Sequence, residues 1–264
     1  MSIVVPWSPE KPGRSPANRS LKRGIEVLRA FRPGTEVLGN AELAERTGLS
    51  RSTITRLTQT LVGTGLLQQI PRARTYRLAP AILSLAHAMY SGCSELAEAA
   101  PIMRDAAEKH RVNVGLAAPD RDEMVYLESI RYNRWIALRK VVSGQRVPIE
   151  LTSLGRAYLA VAPETEVKAL MEMFKRKRNT RWPTLEVEIR AAIANVATKG
   201  YCQAAWQPEV MALAAPLHYS TVPLVLNVST STNEPMERME KILAPILLCT
   251  LAKIDTALQK KLPL

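Results

Sequence analysis

The residues best equipped for chemistry lie in Ser50-Arg51-Ser52-Thr53-Ile54-Thr55-Arg56, two positions after Gly48. At helical spacing, Arg51, Ser52, Thr55 and Arg56 turn away from Ile54 and Leu57. Ser50, Ser52, Thr53 and Thr55 are short, so such a helix can approach a surface closely. Arg51 and Arg56 are long enough to reach guanine edges or phosphates in a DNA groove. The competing reading is an ordinary solvated helix face. A second basic pair, Arg72 and Arg74 in Pro71-Arg72-Ala73-Arg74, fits phosphate or minor-groove contact.

Another constellation stands farther along. Thr152 and Ser153 open a helix, and the free N–H groups of a helix start suit a carboxylate. Gly155 permits close approach there. Asn227 and Ser229 are two apart on a strand and so share a face, while Ala212 leaves room on the neighbouring strand. Trp135, Leu138 and Trp206 are candidates for an apolar wall. Together these residues describe a small-molecule pocket. The competing readings are capping for Thr152 and Ser153, a solvent-facing ladder for Asn227 and Ser229, and core packing for the apolar residues.

Catalytic chemistry has no such footing. His87, His110 and His218 show no metal spacing and join no triad, and Cys93, Cys202 and Cys249 are isolated. No nucleophile–base pair, metal cluster or glycine-rich phosphate loop is present, so neither an enzyme nor a cofactor is expected. Three unclustered cysteines fit a reducing compartment. The longest apolar run, 242–252, contains Pro245 and is far short of the ~20 residues that span a bilayer. A soluble cytoplasmic protein with no membrane partner is expected.

The elements that must hold these residues follow from periodicity. Residues 1–18, with Pro6, Pro9, Pro12 and Pro16, read as a disordered tail. A helix capped by Ser20 carries Leu21, Ile25, Leu28 and Phe31, and Pro33-Gly34 ends it. Asn40 caps the next helix, Gly48 makes the left-handed turn, and Ser50 caps a third with Ile54, Leu57 and Leu61 buried. Two strands around Arg72 and Arg74 then form a wing, completing a winged helix-turn-helix over 19–79. Residues 80–110 read as a helical linker and dimer contact, with Ile82, Leu83, Leu85, Ala86 and Met89 on one side. Over 111–260 the pattern is strands at 112–118, 124–130, 135–142, 201–206, 210–217 and 222–230, with helices between. A last helix containing Pro245 follows. The run Lys175-Arg176-Lys177-Arg178 reads as a solvated loop. This order indicates an α+β domain with a single antiparallel-rich sheet.

Charge divides the same way. The 264 residues carry a formal net charge of +12. Residues 1–78 hold 13 Lys/Arg against 5 Asp/Glu, a net of +8, and the remainder holds 23 against 19, a net of +4. That is the pattern of a DNA-binding head on a near-neutral body.

Three stretches resemble the IclR-type bacterial transcriptional regulators, in order and near the family spacing, over about 20 to 260. They are 20–23 with 42–53 and 56–57; Pro148-Ile149-Glu150-Leu151-Thr152-Ser153-Leu154-Gly155-Arg156-Ala157-Tyr158-Leu159-Ala160; and Gly200-Tyr201 with Met211-Ala212-Leu213-Ala214-Ala215-Pro216 and Leu226-Asn227-Val228-Ser229. The resemblance implies a winged-helix head and a GAF-like effector-binding domain. It also implies homodimers, often paired into tetramers, on near-palindromic operators, acting as repressors or activators tuned by small metabolites, frequently carboxylates or aromatic catabolites. Where many relatives have acidic residues after the Gly-Tyr pair, this chain has Cys202-Gln203-Ala204-Ala205-Trp206, so the pocket is expected to be more apolar. Where relatives often have a Phe-Asp and glycine turn, it has His218-Tyr219-Ser220-Thr221.

Overall fold

The side chain of Asn18 starts the first helix of the computed structural model, which describes residues 18–132, 141–204, 206, 210–232 and 234–261. Its Oδ1 accepts from the Leu21 N–H at 3.0 Å, capping α1 (Arg19–Arg29) two residues before the Ser20 cap expected from sequence. Contacts divide the chain into two units that meet in sequence between Cys93 and Ser94, within the stretch read as one helical connector.

In the first unit, α1 is followed by β1 (Leu38–Gly39), α2 (Asn40–Thr47), α3 (Arg51–Gly63), β2 (Leu67–Ile70), β3 (Thr75–Leu78) and α4 (Ala81–Ser91). Its core joins Val27 of α1 and Phe31 just beyond that helix to Leu38, Leu43, Ile54, Leu61, Leu67 and Tyr76. The stripe expected on α1 is only half right: Leu21 and Ile25 are exposed, because only the C-terminal half of α1 meets the core. Gly48 adopts φ +68°, the left-handed conformation that glycine reaches without a Cβ penalty, and turns α2 into α3. The sheet has three antiparallel strands in the order β1-β3-β2, one more than the wing alone requires. None of α4 is buried, although it is apolar; Leu83, Leu85 and Met89 all stand out from it.

The second unit contains α5 (Ser94–His110), β4 (Asn113–Asp120), β5 (Glu123–Ile130), β6 (Arg146–Pro148), α6 (Ser153–Leu159), α7 (Glu164–Arg178), a 3-10 turn (Asn179–Arg181), α8 (Trp182–Lys199), β7 (Cys202–Ala204), β8 (Val210–Pro216), β9 (Val225–Ser231) and α9 (Met236–Gln259). Six strands form one antiparallel sheet in the order β6-β5-β4-β9-β8-β7. Alternation sends Ala117, Ala214 and Val225 into a core with Leu154, Ala157 and Tyr158 of α6, Phe174 of α7 and Ile189 of α8. The intervening set, including Leu116, Leu213, Leu226 and Val228, is also buried, and α5 and α9 pack on the sheet.

Several expectations are corrected here. Lys175–Arg178 are the last turn of α7, not a loop, because Lys177 and Arg178 have acidic partners to reach. α9 runs unbroken through Pro245. Among the described residues it is the one helix long and apolar enough to cross a membrane, with mean hydropathy 1.5, yet it packs against α5, β8 and β9. Most of the strand expected at 135–142, with Trp135 and Leu138, lies outside the described residues.

Candidate nucleic-acid interface and effector site

The exposed side of α3 presents Arg51, Ser52, Thr55, Arg56 and Gln59, while Ile54, Thr58 and Leu61 are buried on the other. Thr58 is tolerated in the core because its hydroxyl donates to the Ile54 carbonyl at 3.0 Å. Ser50 caps the helix: its Oγ accepts from the Thr53 N–H at 3.4 Å and lies 3.1 Å from Ser52 Oγ and 2.9 Å from Thr53 Oγ1. Thr53 is half-buried. Arg51 and Arg56 make no ion pair among the described residues, so both guanidinium groups are available to an external anion.

The wing turn lies between Ile70 and Thr75 and closes through a hydrogen bond from the Ala73 N–H to the Ile70 carbonyl at 3.2 Å. Arg72 and Arg74 are both exposed on it, and Arg74 holds φ +50°. Two guanidiniums at the tip of a short hairpin suit phosphate oxygens.

Asn40 was read from sequence as a helix cap. Instead Gly39 precedes α2, with its N–H donating to Glu42 Oε2 at 2.8 Å, and Asn40 is the first helical residue. The freed amide reaches the outer face of α3, where Nδ2 donates to Thr55 Oγ1 at 3.2 Å. A polar residue at the helix start was the available signal, but its partner fifteen positions on was not visible in the sequence.

In the second unit, strand register brings the expected pocket residues together. One cross-strand row runs Gly115–Asn227–Ala214–Cys202, and the next runs Asn113–Ser229–Ala212–Ala204. Both lie on the α6 side, since Ala214 and Cys202 belong to the core that α6 joins. Asn227 and Ser229 therefore share one inward face with Ala212. Asn227 is 4% exposed, and its Oδ1 has no hydrogen-bond partner among the described residues. Gly115 is required beside it: a Cβ there would lie 2.5 Å from Asn227 Oδ1 and 2.5 Å from the Tyr126 ring. Tyr126 was not singled out from sequence, although the alternation of β5 put it on this side. Burial pushes its hydroxyl up to about 12, against the opposing pull of a hydrogen bond with Asn227 and the positive charge of Arg131.

The start of α6 is arranged differently from the expected anion cradle. Thr152 Oγ1 accepts from the Gly155 N–H at 3.2 Å and donates to the Pro148 carbonyl at 2.8 Å, so the oxygen caps α6 and the hydroxyl hydrogen is taken by Pro148. Ser153 is buried, and its carbonyl accepts from Cys202 Sγ at 3.4 Å. Burial pushes the Cys202 thiol up to about 12, so it is an un-ionised packing group. Gly155 serves packing: a Cβ would sit 2.2 Å from the backbone of Ile149. Trp206 is 39% exposed, and Trp135 falls outside the described residues.

Beside α6 lies a charged cluster the sequence did not reveal. Glu150 is fully buried, and its Oε1 accepts from Arg178 Nε at 2.9 Å and a terminal nitrogen at 2.7 Å. Lys177 bridges from Glu150 at 3.6 Å to Asp122 at 2.9 Å. Arg156 donates to the Glu150 carbonyl at 3.2 Å and pairs with Glu188 at 2.6 Å. These bonds fix the segment that leads into α6 from two helices and the β4–β5 turn.

Known proteins of the same organisation have both halves. Residues 20–71 match the IclR helix-turn-helix domain, and residues 90–256 match the C-terminal domain of bacterial transcriptional regulator IclR. The chain is 29% identical over 237 residues to the HTH-type transcriptional regulator TsaQ1/TsaQ2 of Comamonas testosteroni, covering 86% of this chain and 84% of that one. The crystal structure of an IclR family transcriptional regulator from Brucella abortus superposes with TM-score 0.80 at 34% identity, covering 91% of this chain and 92% of that one. An IclR homologue from Microbacterium hydrocarbonoxydans, complexed with 4-hydroxybenzoate, shares the fold at TM-score 0.68 and 22% identity, covering 92% and 100%. With a winged helix whose α3 face is open and an α+β unit matched along most of its length, the chain belongs to the IclR family of DNA-binding bacterial transcriptional regulators.

Proposed function

We propose that this regulator is ligand-responsive and sequence-specific. A small carboxylate or aromatic metabolite, taken up between α6 and the β9–β8 rows, sets its affinity for a double-stranded operator. The observation that carries the sensing half is Asn227. Its buried Oδ1 lacks a donor among the described residues, beside a strip of small residues, and such an acceptor costs about 1–3 kcal/mol while unpaired. A ligand hydroxyl supplies the missing hydrogen. Ser229, with Ala212 opposite, extends the same face, and Trp206 lies at the end of the β7 segment. Thr152, Ser153 and Gly155 shape the α6 side. The 4-hydroxybenzoate bound by the Microbacterium homologue has both a hydroxyl and a carboxylate, which supports this class of effector.

On the DNA side, α3 enters the major groove. Ser50, Arg51, Ser52, Thr53, Thr55 and Arg56 face it, and Arg72 and Arg74 take phosphates. The protein acts in the cytoplasm as a homodimer joined through the apolar face of α4, with pairing of dimers as the next level of assembly. Half-sites one turn apart lie ~34 Å between centres, so a ligand that favours one dimer geometry alters operator affinity.

The test is a melting screen of the full chain against hydroxybenzoates and short carboxylates, repeated with Asn227→Ala. A ligand held only by the folded state raises the melting temperature, by ~2.7 kcal/mol of stabilisation at a hundredfold excess over Kd. A hydroxylated carboxylate should raise it in the wild type and much less in Asn227→Ala. If no compound in the panel shifts either melting or operator affinity, the regulator binds DNA constitutively and the sensing half of the reading falls.

A further inference from the structure

We propose that Asn40 is a positioning residue for base reading, and that the γ-methyl of the Thr55 it locks reads a thymine methyl. This rests on the reading that α3 lies in the major groove. Thr55 is exposed on α3, and its hydroxyl donates its one hydrogen to the Arg51 carbonyl at 3.0 Å. It also accepts from Asn40 Nδ2 at 3.2 Å. A hydroxyl so engaged has no hydrogen to offer guanine or the thymine carbonyl. What remains for a base is the methyl, and the thymine C5-methyl is its apolar counterpart in the major groove.

Asn40 matters because threonine in a helix divides between two χ1 rotamers, each able to bond a carbonyl of the preceding turn. The amide of Asn40 favours the rotamer whose oxygen faces α2. That amide has no competing engagement: Oδ1 is buried without a hydrogen-bond partner among the described residues, so the bond to Thr55 sets its orientation. α2 thereby fixes the side chain of a residue that stands on α3.

The experiment selects duplexes from a randomised pool with the full chain, then compares wild type, Asn40→Ala, Thr55→Ser and the double variant position by position. Thr55→Ser keeps both hydrogen bonds and removes only the methyl. Each single variant should flatten the preference at the same base pair of each half-site, by about tenfold, and leave the other positions intact. The double variant should flatten it no further. Deoxyuridine in place of that thymine should weaken wild type by a similar factor and leave both variants unchanged. An even loss across all positions in Asn40→Ala, or indifference of wild type to deoxyuridine, overturns the proposal. Failure of the underlying α3 reading is separately visible, since Arg51→Ala with Arg56→Ala would then leave the whole profile unchanged.

Discussion

Glu150 shows how one residue can be both costly and indispensable. A fully buried carboxylate is tolerated only because Arg178 and Lys177 reach it, and removing one partner of such a pair leaves charge stranded in the interior. Arg178→Ala, which strands the buried Glu150 carboxylate, is expected to lower the stability of the second unit by about 3–5 kcal/mol, read by urea denaturation, whereas Arg190→Ala, which breaks an exposed pair with Glu186, should cost at most about 0.5 kcal/mol. Gly155 makes the complementary case for volume. A methyl group 2.2 Å from the Ile149 backbone has nowhere to go, so Gly155→Ala should destabilise by about 3 kcal/mol, the upper range for overpacking. Neither cost was legible in the sequence. Gly155 and Thr152 were visible as residues of interest, yet the same types serve a ligand or a helix start, and only coordinates distinguish a hydroxyl that caps Gly155 from one that faces a pocket.

Elements were more legible than individual contacts. The Gly48 turn, the cap at Ser50 and the buried stripe of α3 were read from local pattern because each is decided within a few residues. The β8–β9 hairpin was also read, since alternation and turn chemistry are local. What failed was longer in range: α7 extends through Lys175–Arg178 because Asp122 and Glu150, far away in sequence, neutralise part of its basic end. The β8–β9 turn gives another long-range tie. Thr221 donates from its N–H at 3.2 Å and from its hydroxyl to Glu95 at the start of α5. Burial raises the Glu95 pKa, but hydrogen bonds from Thr221, the Glu95 N–H and Ser94 together outweigh it and hold the carboxyl below its ordinary value. A carboxyl depressed in the folded state contributes stability that is present at neutral pH and is lost as pH falls through the folded pKa. Thr221→Val should therefore narrow the stability gap between neutral pH and acid, measured as melting temperature against pH. Wing substitutions belong at this scale too. Arg72→Ala with Arg74→Ala should weaken all duplexes alike and reduce the salt slope of binding by about 2.

For the whole molecule, charge and topology divide the labour. The basic first unit and the near-neutral second unit were separable by counting, and the two domain matches fall on the same two regions. The proposed homodimer rests on α4, an apolar helix with no buried residue among those described. Leu83→Glu with Leu85→Glu should shift the sedimentation of the protein toward monomer while each unit still melts cooperatively; an unchanged dimer would move the interface elsewhere. The proposed effector surface was read less completely than the α3 face. Its residues come from strands distant in sequence, so Asn227 could be named while its neighbours Gly115 and Tyr126 could not. The open face of α3, by contrast, is contiguous.

The most direct measurement is titration of a selected duplex with the full chain and with its Arg51→Ala, Arg56→Ala double variant, at one fixed salt concentration. Each arginine that reads a base is worth about 1–3 kcal/mol, so the double variant should lose at least tenfold in affinity for the selected duplex and narrow its margin over random DNA. Equal binding of the selected duplex by both proteins would contradict the assignment of α3 as the helix that reads the operator.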